Sequence, residues 1–269
     1  MRAVVLTSDF LRHRYVVNRA AQTLDVVGVW QEQKAFKPLS YAVTDDDERV
    51  IAGHFSARDR SEAEFFGSYE HVKVAPGTVI RLVDPGGIND EAELVQMVAL
   101  RPDVVLVFGT QILRAPLIAA FEGRIINLHL GLSPYYRGAG TNFWPLVNRE
   151  PEYVGATIHY LDAGIDTGPI LAHVRPEMRK DDGPHDIGNR TIVAAADVLI
   201  DAAVRFARGR LEGIPQTRGG RLYLRKHFNA DAVRALYANF ADGMIDQYLN
   251  SKAARDRALS LVSLEVAAS

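Results

Sequence analysis

Short apolar runs alternate along the first half of the chain with segments in which apolar residues recur at helical spacing. Residues 3–7 and 25–30 are runs of the buried-strand type, and apolar positions between them recur every three to four residues. A strand, a helix and a second strand at this spacing predict a βαβ unit. The alternation continues with a helix over 89–100 and a strongly apolar strand over 103–109. The pattern therefore predicts an α/β fold with an open, mainly parallel sheet and flanking helices.

The remaining pattern extends this fold towards the end of the chain. It predicts helices over 113–121, 142–148 and 185–208, strands over 124–128, 156–164 and 168–176, a Gly-Gly hairpin over 213–228 and a closing helix over 229–249. Residues 31–75 are polar and predict no order of elements, although an acidic cluster lies at 45–48. We therefore expect a Rossmann-like catalytic domain over 1–208 and an accessory hairpin-and-helix tail over 209–269.

Composition and charge limit the chemistry and the partners. The 269 residues include no cysteine, which excludes disulfides, thiolate nucleophiles and thiolate metal sites. The 31 basic and 33 acidic side chains give a formal net charge of −2, so no global field attracts nucleic acid or an anionic membrane. No stretch approaches the roughly 20 apolar residues of a membrane span, and the first apolar run is too short for a signal peptide. We expect a cytoplasmic protein with no membrane or nucleic-acid partner and no bound metal.

A polar pair marks the end of the strand predicted over 124–128. Asn127 and His129 are two residues apart, so both side chains point to the same face of an extended strand. Parallel sheets bind ligands at the carboxyl ends of their strands, so both groups would project into one cleft. An amide N–H there stabilises negative charge on oxygen, and an imidazole can donate and move a proton. An Asn-x-His pair at a strand end is also common as a structural hydrogen-bonded pair, and both interpretations stay open at this point.

Asp166 follows in a turn between Gly164 and Gly168. An aspartate in a glycine-rich turn commonly stabilises the turn itself, by accepting hydrogen bonds from nearby backbone groups. A catalytic role requires that its carboxylate lie beside His129. No periodicity spans the elements between the two residues, so spacing alone does not decide between these roles.

Two stretches together resemble a known family. INLHLGLSPYYRG (126–138) and GATIHYLDAGIDTGPIL (155–171) resemble the folate-dependent formyltransferases, which include methionyl-tRNA formyltransferase, glycinamide ribonucleotide transformylase and the sugar-nucleotide N-formyltransferases. The resemblance is good over 103–176 and weaker on either side. The compound motif of the family falls on Asn127, His129, Ser133, Pro134, Arg137, Gly138, Asp166 and Gly168.

The resemblance implies a reaction and a catalytic set. It implies that 10-formyltetrahydrofolate donates a formyl group to a primary amine. Asn127 and His129 would stabilise the oxyanion that forms when the amine attacks the formyl carbon. Asp166 would orient a protonated His129 and accept the proton that the amine loses, directly or through a water.

The resemblance also implies a folate-binding region. The family's pterin-binding loop falls on Phe108, Gly109, Thr110, Gln111, Ile112 and Leu113, with further contacts implied at Asp162 and Gly164. Backbone groups would bind the pterin edge, so replacing Gly109 should disturb the loop most. Without the resemblance, this loop reads equally well as an ordinary strand-to-helix turn. His159 matches a histidine of some relatives and is either a partner of the catalytic groups or a half-buried strand residue.

The acceptor amine is less clearly indicated. The segment Thr7–Phe10 lacks the glycines of the phosphate loop in the glycinamide ribonucleotide enzyme. The residues after Gly209 are fewer than the C-terminal barrel of methionyl-tRNA formyltransferase requires. SPYYRGAGTNFWPLVN and GRLYLRKHF are most similar to formyltransferases that act on nucleotide-linked amino sugars. The resemblance therefore favours an acceptor of that class.

A phosphate on such an acceptor would find basic side chains after the first strand, because a helix N-terminus there offers free backbone donors and a favourable dipole. The same side chains could instead be solvated helix charges. Acceptor contacts are expected at Ser8, Arg12, His13, Arg14, Ser133, Tyr135, Tyr136, Arg137 and Gly138.

Other readings remain open on the sequence alone. The acceptor could be a small non-sugar amine of the hydroxyornithine type or methionyl-tRNA. With water as the acceptor, the same residues would make a 10-formyltetrahydrofolate hydrolase. A binding protein without catalysis is the weakest reading, since all three catalytic positions are filled. Many relatives dimerise through their C-terminal part, so the resemblance also implies a homodimer.

Overall fold

The computed structural model describes residues 1–34, 37–209, 211–217 and 219–264. The strands are β1 (Arg2–Ser8), β2 (Asp25–Glu32), β3 (Val79–Val83), β4 (Val104–Phe108), β5 (Ile125–His129), β6 (Tyr136–Gly138), β7 (Ala156–Tyr160), β8 (Ile170–Val174) and β9 (Arg221–Tyr223). The helices are α1 (Leu11–Ala21), α2 (Asp45–Phe66), α3 (Glu91–Ala99), α4 (Ala115–Ala120), α5 (Trp144–Val147), α6 (Pro184–Ala207), α7 (Ala230–Ala241) and α8 (Met244–Asp256).

A seven-stranded sheet forms the centre of the fold, in the order β3-β2-β1-β4-β5-β7-β8. The five strands from β3 to β5 are parallel, whereas β7 runs antiparallel to both of its neighbours. This arrangement confirms the predicted open, mainly parallel sheet. The register places Asn127 of β5 between Val107 of β4 and His159 of β7.

Two apolar layers cover the two faces of the sheet. Along β1, Ala3 and Val5 face the cluster that contains α1 and α6, while Val4 and Leu6 face the cluster that contains α3 and α4. All five residues of β4 are buried, as the uninterrupted apolar run predicted. Burying one such aliphatic side chain stabilises the fold by roughly 1.5–3 kcal/mol. Among the described residues, no helix is both long and apolar enough to cross a membrane.

The polar region over 31–75 contains α2, for which the hydrophobic pattern gave no prediction. Thr44 caps this helix by accepting a hydrogen bond from the Asp47 backbone, and Asp47 accepts one from the Thr44 backbone in return. The acidic cluster at 45–48 is therefore the first turn of a 22-residue helix, where negative charge meets the positive end of the helix dipole. The cap and its acidic turn were readable in the sequence.

The tail differs from the prediction in two ways. The hairpin over 213–228 was wrong, because β9 pairs in parallel with β6 and Ile214 bridges to Ile170. The close approach of β9 requires a glycine at Gly138, where a Cβ would lie 2.2 Å from the Tyr223 carbonyl oxygen. The single helix over 229–249 is instead two helices, α7 and α8, which meet at Gly243 with φ +71°.

Two histidines, the buried His54 and the half-buried His185, are expected to make the fold sensitive to acid. The rings of His54 in α2 and His185 in α6 lie 4.6 Å apart, and Tyr237 of α7 contacts His54. Burial lowers the pKa of His54 to about 3 and that of His185 to about 4, with the neighbouring Arg58 charge acting in the same direction on both. The nearby carboxylates of Asp59 and Asp186 raise the pKa of His185 only in part.

The unfolded chain therefore binds protons at these two positions below about pH 6.5, while the native chain does not. We expect the free energy of unfolding to fall as the pH drops from about 6.5 to about 4. At about 1.4 kcal/mol for each unit of pKa difference, the loss is on the order of a few kcal/mol. Urea unfolding across this range measures it. His54→Phe should flatten the dependence and His71→Phe, at an exposed histidine, should not; equal slopes in the two variants would contradict the assignment.

Candidate functional site

A cavity of about 820 Å³ opens at the carboxyl ends of the parallel strands. The ends of β4 and β5 contribute residues 107–114 and 127–130 to its wall. The segments that follow β1 and β2 contribute Arg12, His13 and Lys34. This is the edge at which open parallel sheets bind ligands, because their loops diverge there and backbone donors are free.

Asn127, His129 and Asp166 meet in this cavity. The alternation along β5 turns Asn127 and His129 to the same side, as the sequence predicted. His129 Nδ1 lies 3.3 Å from Asp166 Oδ1, and the two side chains are only 8% and 16% exposed. The second carboxylate oxygen of Asp166 accepts a hydrogen bond of 3.1 Å from the backbone N–H of Gly138. The carboxylate is therefore fixed between the imidazole and the backbone.

The backbone of Asp166 adopts the left-handed conformation, with φ +51°. Few residues other than glycine adopt it, and Asp and Asn are among those that tolerate it best. Such conformations cost free energy and persist where the surrounding contacts hold them. The bonds to His129 and to Gly138 are the contacts that hold this one.

His159 orients the amide of Asn127. His159 Nδ1 donates to the Tyr160 carbonyl at 2.8 Å, so Nε2 is the acceptor and takes a hydrogen bond of 3.0 Å from Asn127 Nδ2. Burial, and then the nearby His129, lower the pKa of His159, while Asp166 raises it only in part. A neutral His159 therefore accepts a hydrogen bond from one N–H of the Asn127 amide. The second N–H of that amide remains available to another acceptor.

The loop after β4 is held by two side chains that the sequence did not assign to the site. The buried Glu32 accepts hydrogen bonds from the backbone N–H groups of Gly86 at 2.5 Å and of Gln111 at 2.6 Å. Asn89 Nδ2 donates to the Ile112 carbonyl at 3.2 Å, and its Oδ1 accepts from the Arg114 N–H at 2.7 Å. Both ends of the loop are therefore fixed to the β2 and β3 side of the sheet.

Gly109 is the tightest point of this loop. Its φ of +76° is in the left-handed region, and a Cβ there would lie 2.3 Å from His13 Nε2. The Gly109 carbonyl accepts a hydrogen bond from Lys34 Nζ. The close approach to His13 and the hydrogen bond from Lys34 both support the expectation that, within this loop, replacing Gly109 causes the largest disturbance.

The comparisons with known proteins assign this arrangement to a family. The sequence profile described as "Formyl transferase" matches residues 5–203. The chain belongs to the folate-dependent formyltransferase family. It is 30% identical over 147 residues to the methionyl-tRNA formyltransferase of Thermodesulfovibrio yellowstonii, which covers 54% of this chain and 47% of that protein. The chain thus matches about half the length of this curated relative.

Solved structures of formyltransferases share the fold. Glycinamide ribonucleotide transformylase 1 from Symbiobacterium toebii superposes with a TM-score of 0.54 at 21% identity, over 82% of this chain and 92% of that one. A sugar N-formyltransferase from Shewanella sp superposes with a TM-score of 0.53 at 17% identity, over 85% and 78%. At these identities the similarity extends to the fold alone, and it confirms the Rossmann-like α/β architecture of the formyltransferases.

Most of the residues singled out in the sequence line the cavity. In addition to the three predicted catalytic residues, they are Phe108, Gly109, Thr110, Gln111, Ile112, Leu113, Asp162, Gly164, Arg12, His13 and Gly138. Burial, followed by the neighbouring positive charges of Arg12, Lys34 and Arg58, lowers the pKa of His13 well below its usual value. His13 is therefore neutral, and it contributes an uncharged imidazole ring to the cavity wall.

The other residues predicted for acceptor binding lie outside the described wall of the cavity. They are Ser8, Arg14, Ser133, Tyr135, Tyr136 and Arg137. Tyr136 is 1% exposed, and its hydroxyl accepts hydrogen bonds from Asn148 and Arg221 within a small aromatic cluster. Arg14 donates to the carbonyl of Glu70. The segment at 133–138 therefore belongs to the packed part of the fold. Of its residues, only Gly138 lines the described cavity wall.

Proposed function

We propose that this formyltransferase moves a formyl group from 10-formyltetrahydrofolate to a primary amine, at the site formed by Asn127, His129 and Asp166. The observation that carries the proposal is the convergence of an amide, an imidazole and a carboxylate in one cavity, with the imidazole and carboxylate 3.3 Å apart. A volume of about 820 Å³ is in the range of small-molecule sites. The folate donor supplies the formyl carbon that the amine attacks.

The protein groups then stabilise the negative charge on the formyl oxygen and transfer the proton of the attacking amine. The free N–H of Asn127 donates to the formyl oxygen as negative charge develops there. Asp166 accepts from His129 Nδ1, which leaves Nε2 as the second donor to that oxygen. The present contact of Nε2 with Thr141 Oγ1 is 3.3 Å, long enough for a better acceptor to replace it. The His129–Asp166 pair takes the proton that the attacking nitrogen loses and returns one to the leaving folate nitrogen.

We further propose that the acceptor is an amino sugar linked to a nucleotide. The cationic groups of Arg12, Lys34 and Arg225 line the same cavity as the catalytic residues, which suits an acceptor with phosphate groups. The resemblance of the segments at 133–148 and 220–228 to sugar-nucleotide enzymes supports the same class. A panel of nucleotide-linked 3-amino and 4-amino sugars, assayed by mass spectrometry for a formamide product, tests this acceptor. No product from any of them would refute it.

The proposed division of the chain places almost the whole site in one part. We propose that residues 1–208 form the catalytic domain and that residues 209–269 are an accessory part. Within the described cavity wall, the accessory part contributes Tyr223, Leu224 and Arg225. It also packs on the core, where Leu236 and Tyr248 join the apolar cluster of α5 and α6. The accessory part therefore closes one side of the cavity and carries none of the catalytic groups.

Glu32 provides a test of the folate-binding loop. In Glu32→Gln the side chain keeps its size, but its amide can accept only one of the two hydrogen bonds from Gly86 and Gln111. We expect the Kd for the folate donor to rise roughly 10-fold, since a hydrogen bond to a charged group contributes about 1.5–3 kcal/mol. Turnover at saturating donor should change little. Titration of the donor by isothermal calorimetry, together with kcat and KM, measures both effects.

The control is Glu48→Gln, an exposed carboxylate in the first turn of α2. It loses the same charge far from the loop, and its donor affinity should equal that of the wild type. An unchanged donor Kd in Glu32→Gln would show that the loop does not hold the folate.

A further inference from the structure

Lys34 is a half-buried cation of the cavity that the catalytic scheme leaves unused. It follows β2, lines the cavity and donates to the Gly109 carbonyl in the loop after β4. An ammonium group has three N–H donors, so two remain after this bond. A half-buried ammonium with free donors at a cavity wall is suited to an anionic ligand.

Two further cations and one unpaired polar atom face the same region. Arg12 lines the cavity and is paired with Glu62, whereas the exposed Arg225 has no carboxylate partner within the described part of the chain. His13 Nδ1, in a side chain that is 2% exposed, is buried in the same wall and has no hydrogen-bond partner among the described residues. The region therefore offers several donors for one anion.

The charges around Lys34 leave it short of a counter-charge. Burial first and then Arg12 lower the pKa of Lys34 to about 8, and Arg225 acts in the same direction. Glu32 and Asp9 oppose the shift without reversing it, and both Glu32 oxygens already accept backbone hydrogen bonds. The neutral His13 adds no charge. An anion placed beside Lys34 would stabilise its charged form.

We propose that Lys34, with Arg225 and Arg12, binds the phosphate oxygens of the acceptor, and that Lys34 takes up a proton when this anion binds in mildly alkaline solution. The inference rests on the proposed formyl transfer to a phosphate-bearing amine. Because Lys34 also holds the Gly109 carbonyl, the acceptor phosphate and the folate-binding loop share one side chain. Binding of the acceptor is thereby coupled to the position of that loop.

The test uses inorganic pyrophosphate as the probe, titrated into the full chain by isothermal calorimetry. The titrations are made at pH 7 and pH 8.5, each in two buffers with different ionisation enthalpies. We expect Lys34→Gln to weaken pyrophosphate binding roughly 10- to 100-fold and Arg225→Gln to weaken it by a smaller factor. Arg114→Gln, an exposed cation on the same cavity wall, should leave it unchanged. Equal affinity in wild type and Lys34→Gln, or no binding to the wild type, overturns the proposal.

Proton uptake separates a specific role of Lys34 from loss of folding. At pH 8.5 the wild type should take up a fraction of a proton for each pyrophosphate bound, because Lys34 is then largely neutral in the free protein. Lys34→Arg keeps the charge and should bind pyrophosphate without taking up a proton, since arginine stays protonated at this pH. Unchanged proton uptake in Lys34→Arg would show that another group takes up the proton, and it would overturn the proposed protonation of Lys34.

The glutamate tail of the folate donor is a second source of anionic oxygens. Removing the glutamate from the donor should change the donor Kd by the same factor in the wild type and in Lys34→Gln. A loss of affinity on removing the glutamate that occurs in the wild type alone would assign the site to the folate and overturn the acceptor assignment. Failure of the proposed function is distinct from both outcomes, because formyl transfer would then be absent while pyrophosphate binding still depended on Lys34.

Discussion

Replacing His129 with alanine should lower the rate of formyl transfer roughly 1,000- to 10,000-fold. The imidazole is proposed to donate to the developing oxyanion and to move a proton together with Asp166, and alanine does neither. The 3.3 Å contact with Asp166 and the position at the cavity wall place the ring for both tasks. Because the ring faces a cavity, its removal should leave the fold and the loop after β4 intact.

Single-turnover kinetics with saturating folate donor and amine measure this loss, and calorimetry measures the donor Kd. The donor Kd in His129→Ala should stay within a few-fold of the wild-type value. His71→Ala removes an exposed histidine and should transfer at the wild-type rate. Near-wild-type transfer by His129→Ala would sink the catalytic assignment.

Asp166→Asn should lower kcat roughly 100- to 1,000-fold with little change in stability. Asparagine keeps the size of the side chain and tolerates the left-handed backbone at φ +51°. It has one acceptor oxygen, however, where the native carboxylate accepts from both His129 and Gly138. The amide NH2 must therefore face either the Gly138 N–H or His129 Nδ1, where it would hold the imidazole in the tautomer that accepts at Nδ1, and the negative charge beside the imidazole is lost.

Steady-state kcat, the donor Kd and the melting temperature are the measurements for this variant. The neighbouring Asp162 accepts hydrogen bonds from Gly164 and Thr167 within the same turn and has no contact with His129 among the described residues. Asp162→Asn is therefore the matched control for the turn: because Asp162 is implied in folate binding alone, its effect should fall on the donor Kd, and kcat at saturating donor should stay near that of the wild type. Equal losses in the two variants would attribute the effect of Asp166→Asn to the turn and not to the carboxylate.

The sequence predicted the shared placement of two polar side chains on β5 for a physical reason. Side chains two residues apart on a strand share a face, so Asn127 and His129 had to project together. Asp166 could not be placed in this way, since its approach to His129 depends on a left-handed turn and on a backbone contact with Gly138. Only the family resemblance connected it to the other two.

The residues that the sequence did not reveal act across the sheet. Glu32 and Asn89 hold the loop after β4 through backbone groups 23 to 79 positions away in the chain. Contacts between residues so far apart leave no periodic pattern in the sequence, so the sequence did not predict them. Lys34 follows β2 and reaches the cavity because β2 is adjacent to β1 and so lies near the end of β4.

The wrong hairpin prediction has a related cause. A Gly-Gly turn between two strand-like arms favours a hairpin, but the turn chemistry does not exclude another partner. β9 instead pairs with β6, where Gly138 leaves room for the Tyr223 carbonyl. Partner choice in a short strand is thus decided by a glycine more than eighty positions earlier.

The fate of the formyl carbon tests the central claim most directly. The donor carries a ¹³C-labelled formyl group, and the purified protein is incubated with and without a nucleotide-linked amino sugar. The account predicts that the label appears in a formamide, mole for mole with tetrahydrofolate, and that release of tetrahydrofolate requires the amine. Labelled formate released at the same rate with or without the amine would contradict it and would make this chain a hydrolase.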